Sequence, residues 1–197
     1  MTKFTFILWL IAYGSCAGQQ TSKPAQNGGV DFFKEEITIK VIDSSAVISG
    51  IYYFRNESSA DSSIRILFPF FVDSLSLFPH EIYPYLRNDG VSMTLPYRKA
   101  HNAIRFAIPF GDDSVTVWQL DYVQRIKSQH VRYILASTKT WHKPLQTATY
   151  KVEMPVGASN VVIWPEPDSI IKMNDTQIFW SHRENFMPDR DLEIFWE

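Results

Sequence analysis

From Phe32 onward, hydrophobic and polar positions alternate with a period of two over most of the chain. Such alternation puts one face of an extended strand in a core and the other in water. The clearest run is Val131 to Pro155, VRYILASTKTWHKPLQTATYKVEMP. In its second half Ala148, Tyr150, Val152 and Met154 share one face, while Thr147, Thr149, Lys151 and Glu153 share the other. The polar stretch from Ser137 to Pro144 separates two alternating segments, so the run is expected to form a β-hairpin with Trp141 tucked beneath the connector. Ile37, Ile39 and Val41 repeat the pattern. A turn at Asp43-Ser44-Ser45 then leads into a strand from Val47 to Phe54, where Gly50 marks a bulge or a close approach. Ile64 to Phe71 is apolar on both sides and is expected to be a central strand that Pro69 ends or kinks. Asn88-Asp89-Gly90 and Gly111-Asp112-Asp113 are turns, and the second opens a strand that presents Trp118, Leu120 and Tyr122 on one side. No stretch keeps a helical period over three turns. About eleven to thirteen short strands at this spacing predict an all-β fold. The architecture expected is an antiparallel two-sheet β-sandwich, immunoglobulin-like in general layout, in preference to a closed barrel.

Composition narrows the picture further. The chain has 197 residues, 45% of them hydrophobic and 15% aromatic, enough for one core without cross-links. A single domain is expected over residues 31–197. Formal net charge is −2 with both signs interspersed, and the absence of a basic stripe argues against nucleic acid as a partner.

The beginning of the chain has a different character. Lys3 precedes an apolar run from Phe4 to Tyr13, too short to span a bilayer of ~30 Å as a helix but the length of a signal-peptide core. Tyr13-Gly14-Ser15-Cys16 ends that run and contains the chain's single cysteine. The tetrapeptide resembles the lipobox of bacterial lipoproteins, with Tyr13 standing where that pattern prefers an aliphatic residue. The resemblance implies a signal peptide over 1–15 and a lipid on Cys16, which becomes the first residue of the mature protein. Residues 16–30 are small and polar and read as a flexible tether. Ala17 is not the acidic residue that resembles an inner-membrane retention signal. The expected location is therefore a lipid anchor in the outer membrane, facing the periplasm or the cell surface.

Three further segments carry a family likeness. They are Ile51-Tyr52-Tyr53-Phe54-Arg55-Asn56 with Phe68-Pro69-Phe70, the Tyr133-to-Pro155 pattern around Trp141 and Pro144, and Asn185-Phe186-Met187-Pro188-Asp189-Arg190-Asp191-Leu192. Together they are similar to uncharacterised secreted bacterial β-sandwich proteins of a domain-of-unknown-function type. That resemblance implies an exported β domain and supplies no catalytic residues.

Candidate chemistry is sparse. His80, His101, His130, His142 and His182 lie far apart, and none falls in a zinc-binding spacing. No serine sits in G-x-S-x-G and no Gly-rich phosphate loop is present. Asp189, Asp191 and Glu193 would share a strand face, read as a solvated edge rather than a calcium site because no glycine lets a loop wrap an ion. The expectation is no catalytic residue, no metal and no cofactor. The binding candidates are Trp141 and His142 in the polar connector, and Trp164 beside Pro165-Glu166-Pro167. If these tryptophans serve recognition alone, Trp141→Ala should leave unfolding nearly unchanged. The function expected is a non-enzymatic envelope lipoprotein that binds or scaffolds a protein partner. The alternatives are a carbohydrate-binding module using exposed tryptophans, or an enzyme whose site is assembled from scattered residues.

Overall fold

The computed structural model describes residues 29–88, 91–112 and 114–197. Residues 1–15 and most of 16–30, Cys16 included, lie outside the described residues. The first two strands, β1 (Val30–Ile42) and β2 (Ser45–Asn56), are joined by the turn expected at Asp43, whose φ is 50°. Then come β3 (Ser62–Pro69), β4 (Glu81–Asn88), β5 (Val91–Thr94), β6 (Arg98–Ala100), β7 (Ala103–Phe110) and β8 (Val115–Arg125). The chain continues through β9 (His130–Tyr133), a 3-10 turn (Ala136–Trp141), β10 (Leu145–Pro155), β11 (Val162–Trp164), β12 (Ser169–Met173), β13 (Thr176–Phe186) and β14 (Leu192–Phe195).

The fold is all-β and sandwich-like. One layer is an eight-stranded sheet in the order β12-β13-β10-β1-β2-β8-β4-β5. Two three-stranded sheets, β3-β7-β6 and β11-β14-β9, make up the rest. A single hydrophobic cluster draws on all three. Ile37, Ile39, Ile48, Leu120 and Tyr150 come from the large sheet, Ile104 and Ile108 from one small sheet, and Leu192 and Ile194 from the other. The expected phases hold in β8 and β10, where Trp118, Leu120 and Tyr122, and Ala148, Tyr150, Val152 and Met154, are all buried.

Three expectations about pairing are corrected. The run from Val131 to Pro155 is not a hairpin: β9 pairs with β14, whereas β10 pairs with β13 and β1. Both segments do alternate, but the 3-10 turn between them carries the chain from one sheet to another. The large sheet is not wholly antiparallel either, because β1 and β10 run parallel from Lys34↔Thr147 to Lys40↔Glu153. Finally, Ile64–Phe71 is not central. It supplies β3, an outer strand of its sheet, and the ladder to β7 ends at Pro69. Phe68 shares the inward face of Ile64, Ile66 and Phe70 and stands edge-on to Trp118, while on the other side the Phe71 ring lies under the Arg132 guanidinium, 4.7 Å from its centre.

Two local features set up the site. A β-bulge between Phe32 and Lys34 interrupts the β1–β2 register, so Phe33 is the extra residue. The slip brings Phe32 and Glu35 to the inward face together, an odd spacing that regular alternation forbids. Gly50, expected to mark a close approach, does so. A Cβ there would fall within 2.9 Å of the Tyr52 ring, which lies over the glycine.

Candidate functional site

Glu35 is the one acidic side chain on the inward phase of Ile37, Ile39 and Val41, and it is 3% exposed. The Tyr150 hydroxyl from β10 donates to its Oε1 at 2.7 Å, a contact that exists because the parallel seam sets β10 beside β1. Burial pushes the Glu35 carboxyl up to about 7, partly offset by that hydrogen bond. Nearby, the hydroxyls of Tyr52 and Tyr133 join β2 to β9 at 2.5 Å. Burial raises Tyr52, Tyr133 and Tyr150 well above the ordinary phenol value, so all three stay protonated.

Glu35, Tyr52 and Tyr133 border a cleft of about 50 Å³ between the large sheet and its cover, with Tyr150 behind Glu35. Glu35, Tyr52, Trp118 and Tyr133 line it together with Phe32, Phe54, Phe68 and the 3-10 turn residues Ser137, Thr138 and Trp141. Tyr52 stacks on Trp118 at 4.2 Å between centroids and 18° between planes. The Trp118 indole N–H has no partner among the described residues. A buried donor left unpaired costs free energy comparable to a lost hydrogen bond, so its presence beside a cleft marks unmet bonding capacity.

The turn over the cleft is held at both ends. At its start the buried Asp191 accepts the backbone N–H groups of Leu135 (3.1 Å) and Ala136 (3.0 Å) on Oδ1. Its Oδ2 takes Arg132 Nε at 2.8 Å and Nη2 at 2.7 Å. Past its end, Lys143 reaches Asp31 at 3.3 Å and Glu57 at 3.9 Å. Asp191 was expected at a solvated strand edge. That is corrected, because β14 is the middle strand of its sheet and Asp191 is 7% exposed just before it.

The sequence candidates are placed as follows. Trp141 lies in the turn, half-buried, with its ring edge-on to Phe54 at 5.1 Å and Phe32 at 5.9 Å. The nearly neutral Trp141→Ala is therefore corrected. Losing a half-buried indole that touches two core rings is expected to cost about 2 kcal/mol in urea unfolding, below the usual loss for a fully buried Trp. His142 is exposed and caps the turn with φ 58° and its N–H on the Lys139 carbonyl. Trp164 lines a separate groove of about 440 Å³ with Val162, Ile170, Phe195 and Arg190, whose guanidinium stands 4.6 Å from the indole. Trp141 and Trp164 are thus not brought to one cleft. Glu35, Tyr150 and Asp191 are the functional-looking residues that sequence reasoning missed or misread. For Glu35 the available signal was an acid two residues before Ile37, on the core phase.

Among the described residues, no three His, Cys, Asp or Glu side chains gather as a metal site requires. The fold and cleft define an all-β sandwich domain with a partly covered, largely aromatic pocket in its core that holds one carboxyl. Residues 118–195 match the family model of a domain of unknown function (DUF4424), a stretch that includes the turn, Asp191 and the strands that flank them. No curated protein matches the chain. Among solved structures it is similar to a Legionella pneumophila protein provisionally described as nutrient binding. The TM-score is 0.63 at 12% identity, over 84% of this chain and 66% of that one. It is also similar to an M1 zinc metallopeptidase from Deinococcus radiodurans, with TM-score 0.52 at 11% identity, over 87% of this chain and 43% of that one. The chain therefore spans just under two thirds of the first of these proteins and less than half of the second. At such identities the likeness is one of fold.

Proposed function

We propose that the protein is a non-enzymatic binding domain of a bacterial cell envelope, tethered through a lipid on Cys16, that takes a small ligand into the cleft beneath the Ala136–Trp141 turn. The observation that carries this is the cleft itself: a buried carboxyl, an unpaired indole N–H and several aromatic rings meet under a turn clamped at both ends. Ligand sites are concave, mostly apolar and furnished with a few placed polar groups, and this one fits that description. The nutrient-binding description of the Legionella protein agrees with it. A thermal-shift screen of small metabolites tests the idea. Ligands that raise the melting temperature of the wild type should lose that effect in Ser137→Trp, where the added ring fills the cleft. Hits that persist in that variant bind elsewhere.

Tethering rests on the apolar leader ending at Cys16. Cys16→Ala is expected to move the protein from the membrane pellet to the soluble fraction, and a variant that still pellets argues against the lipid. A second reading, binding of a protein partner, is favoured by one specific feature. The Trp164 groove is bordered by exposed Val162 (63%) and Ile170 (58%), and β12 beside it is exposed along its whole length.

A further inference from the structure

Charge balance in the cleft says more about what fits there. Among the described residues Glu35 makes no salt bridge, its one side-chain partner is the Tyr150 hydroxyl, and burial is the main cause that shifts it. The titratable groups around it are Tyr150 from β10, Tyr52 from β2 and Tyr133 from β9, all kept protonated by burial. Basic side chains on the neighbouring strands and turn are paired with other acids: Lys34 with Glu36 at 2.7 Å, Arg183 on β13 with Asp168 at 2.9 Å, and Lys143 with Asp31 and Glu57. Meanwhile the rings of Phe32, Tyr52, Phe54, Phe68, Trp118 and Trp141 line the same space. Aromatic faces attract a cation within about 6 Å of the ring, most strongly when it is desolvated.

We propose that this cleft is a site for a small organic cation, an amine or quaternary ammonium headgroup, with Glu35 as its counter-ion and the aromatic rings as its walls. The proposal rests on the small-ligand function above and specifies the chemistry of that ligand. Size agrees: a water needs ~10–15 Å³ on this scale, so about 50 Å³ holds roughly three to five waters or one compact headgroup. An anion would meet Glu35 with no cation to help it. A sugar would find the Tyr52 and Tyr133 hydroxyls already engaged with each other.

The test titrates the full chain at pH 8 with methylammonium and tetramethylammonium chloride, following tryptophan fluorescence. Sodium chloride controls for ionic strength, and tert-butanol serves as a neutral probe of similar bulk. The expected result is a saturable change with the cations, weakened at least about tenfold in Glu35→Gln. Wild-type affinity should also fall by about tenfold per pH unit below 7, as protons compete for the carboxylate. That pH profile decides the matter on its own if Glu35→Gln does not fold. Cation binding that is equal in Glu35→Gln, or independent of pH, overturns the proposal. Saturable binding of tert-butanol without the cations, abolished by Ser137→Trp, overturns the cation and leaves the small-ligand function standing. No saturable response to any probe overturns the cation, and the metabolite screen with Ser137→Trp then decides the small-ligand function.

Discussion

Asp191→Ala is expected to lower the unfolding free energy by about 2–4 kcal/mol, because two backbone N–H groups lose their acceptor while Arg132, 38% exposed, regains water. Neither backbone donor can turn to another partner without unwinding the start of the 3-10 turn. Asp191→Asn separates the two contributions. It keeps an oxygen for Leu135 and Ala136 but presents an amide to Arg132, so a smaller loss, about 1–2 kcal/mol, is expected. Urea unfolding followed at Trp141 would report both. A loss below about 1 kcal/mol for the alanine variant would mean that the turn is held by Lys143 and its own packing instead.

The second large effect concerns pH. Glu35 titrates at about 7 in the fold against an ordinary value of 4.5. The folded state therefore binds a proton that the unfolded chain has already released in that window. Stability from this group is full below pH 4.5, declines as pH rises toward 7, and is flat above. Two and a half pH units correspond to about 3 kcal/mol. Glu35→Gln retains an acceptor for Tyr150 and carries no charge, so its urea midpoint should lack this decline, and at pH 8 it should be the more stable protein. A wild-type midpoint that is level from pH 4.5 to 7, or a Gln variant that keeps the slope, would place the Glu35 titration elsewhere.

The two halves of this site were unequally visible in the chain. Trp118, Tyr122 and Tyr150 fall on the buried face because period-two alternation is a local property, and it held. Glu35 could have been noticed by extending the Ile37–Ile39–Val41 phase back by one step. Phe32 could not, because the bulge at Phe33 that brings it inward has no glycine to announce it. The parallel partnership of β1 with β10 left no trace either. Antiparallel neighbours are joined by turns with recognisable residues, whereas a parallel pair more than a hundred positions apart has only its side-chain pattern in common. That is also why β9 and β10 looked like a hairpin: adjacency and alternation were present, and the 3-10 turn between them resembles a polar connector. Asp191 was misjudged because acids at every second position usually mark solvent. The buried backbone donors of Leu135 and Ala136 reverse that rule for one of the three.

The seam between Lys34–Lys40 and Thr147–Glu153 also governs when this molecule can become itself. A ribosome must deliver some 150 residues before the middle of the broad sheet can close. Until then β1 and β2 present an open flank with the Glu35 side chain uncovered. A polypeptide that leaves the cytosol while still being made would cross in this unfinished form and knit its centre on the far side.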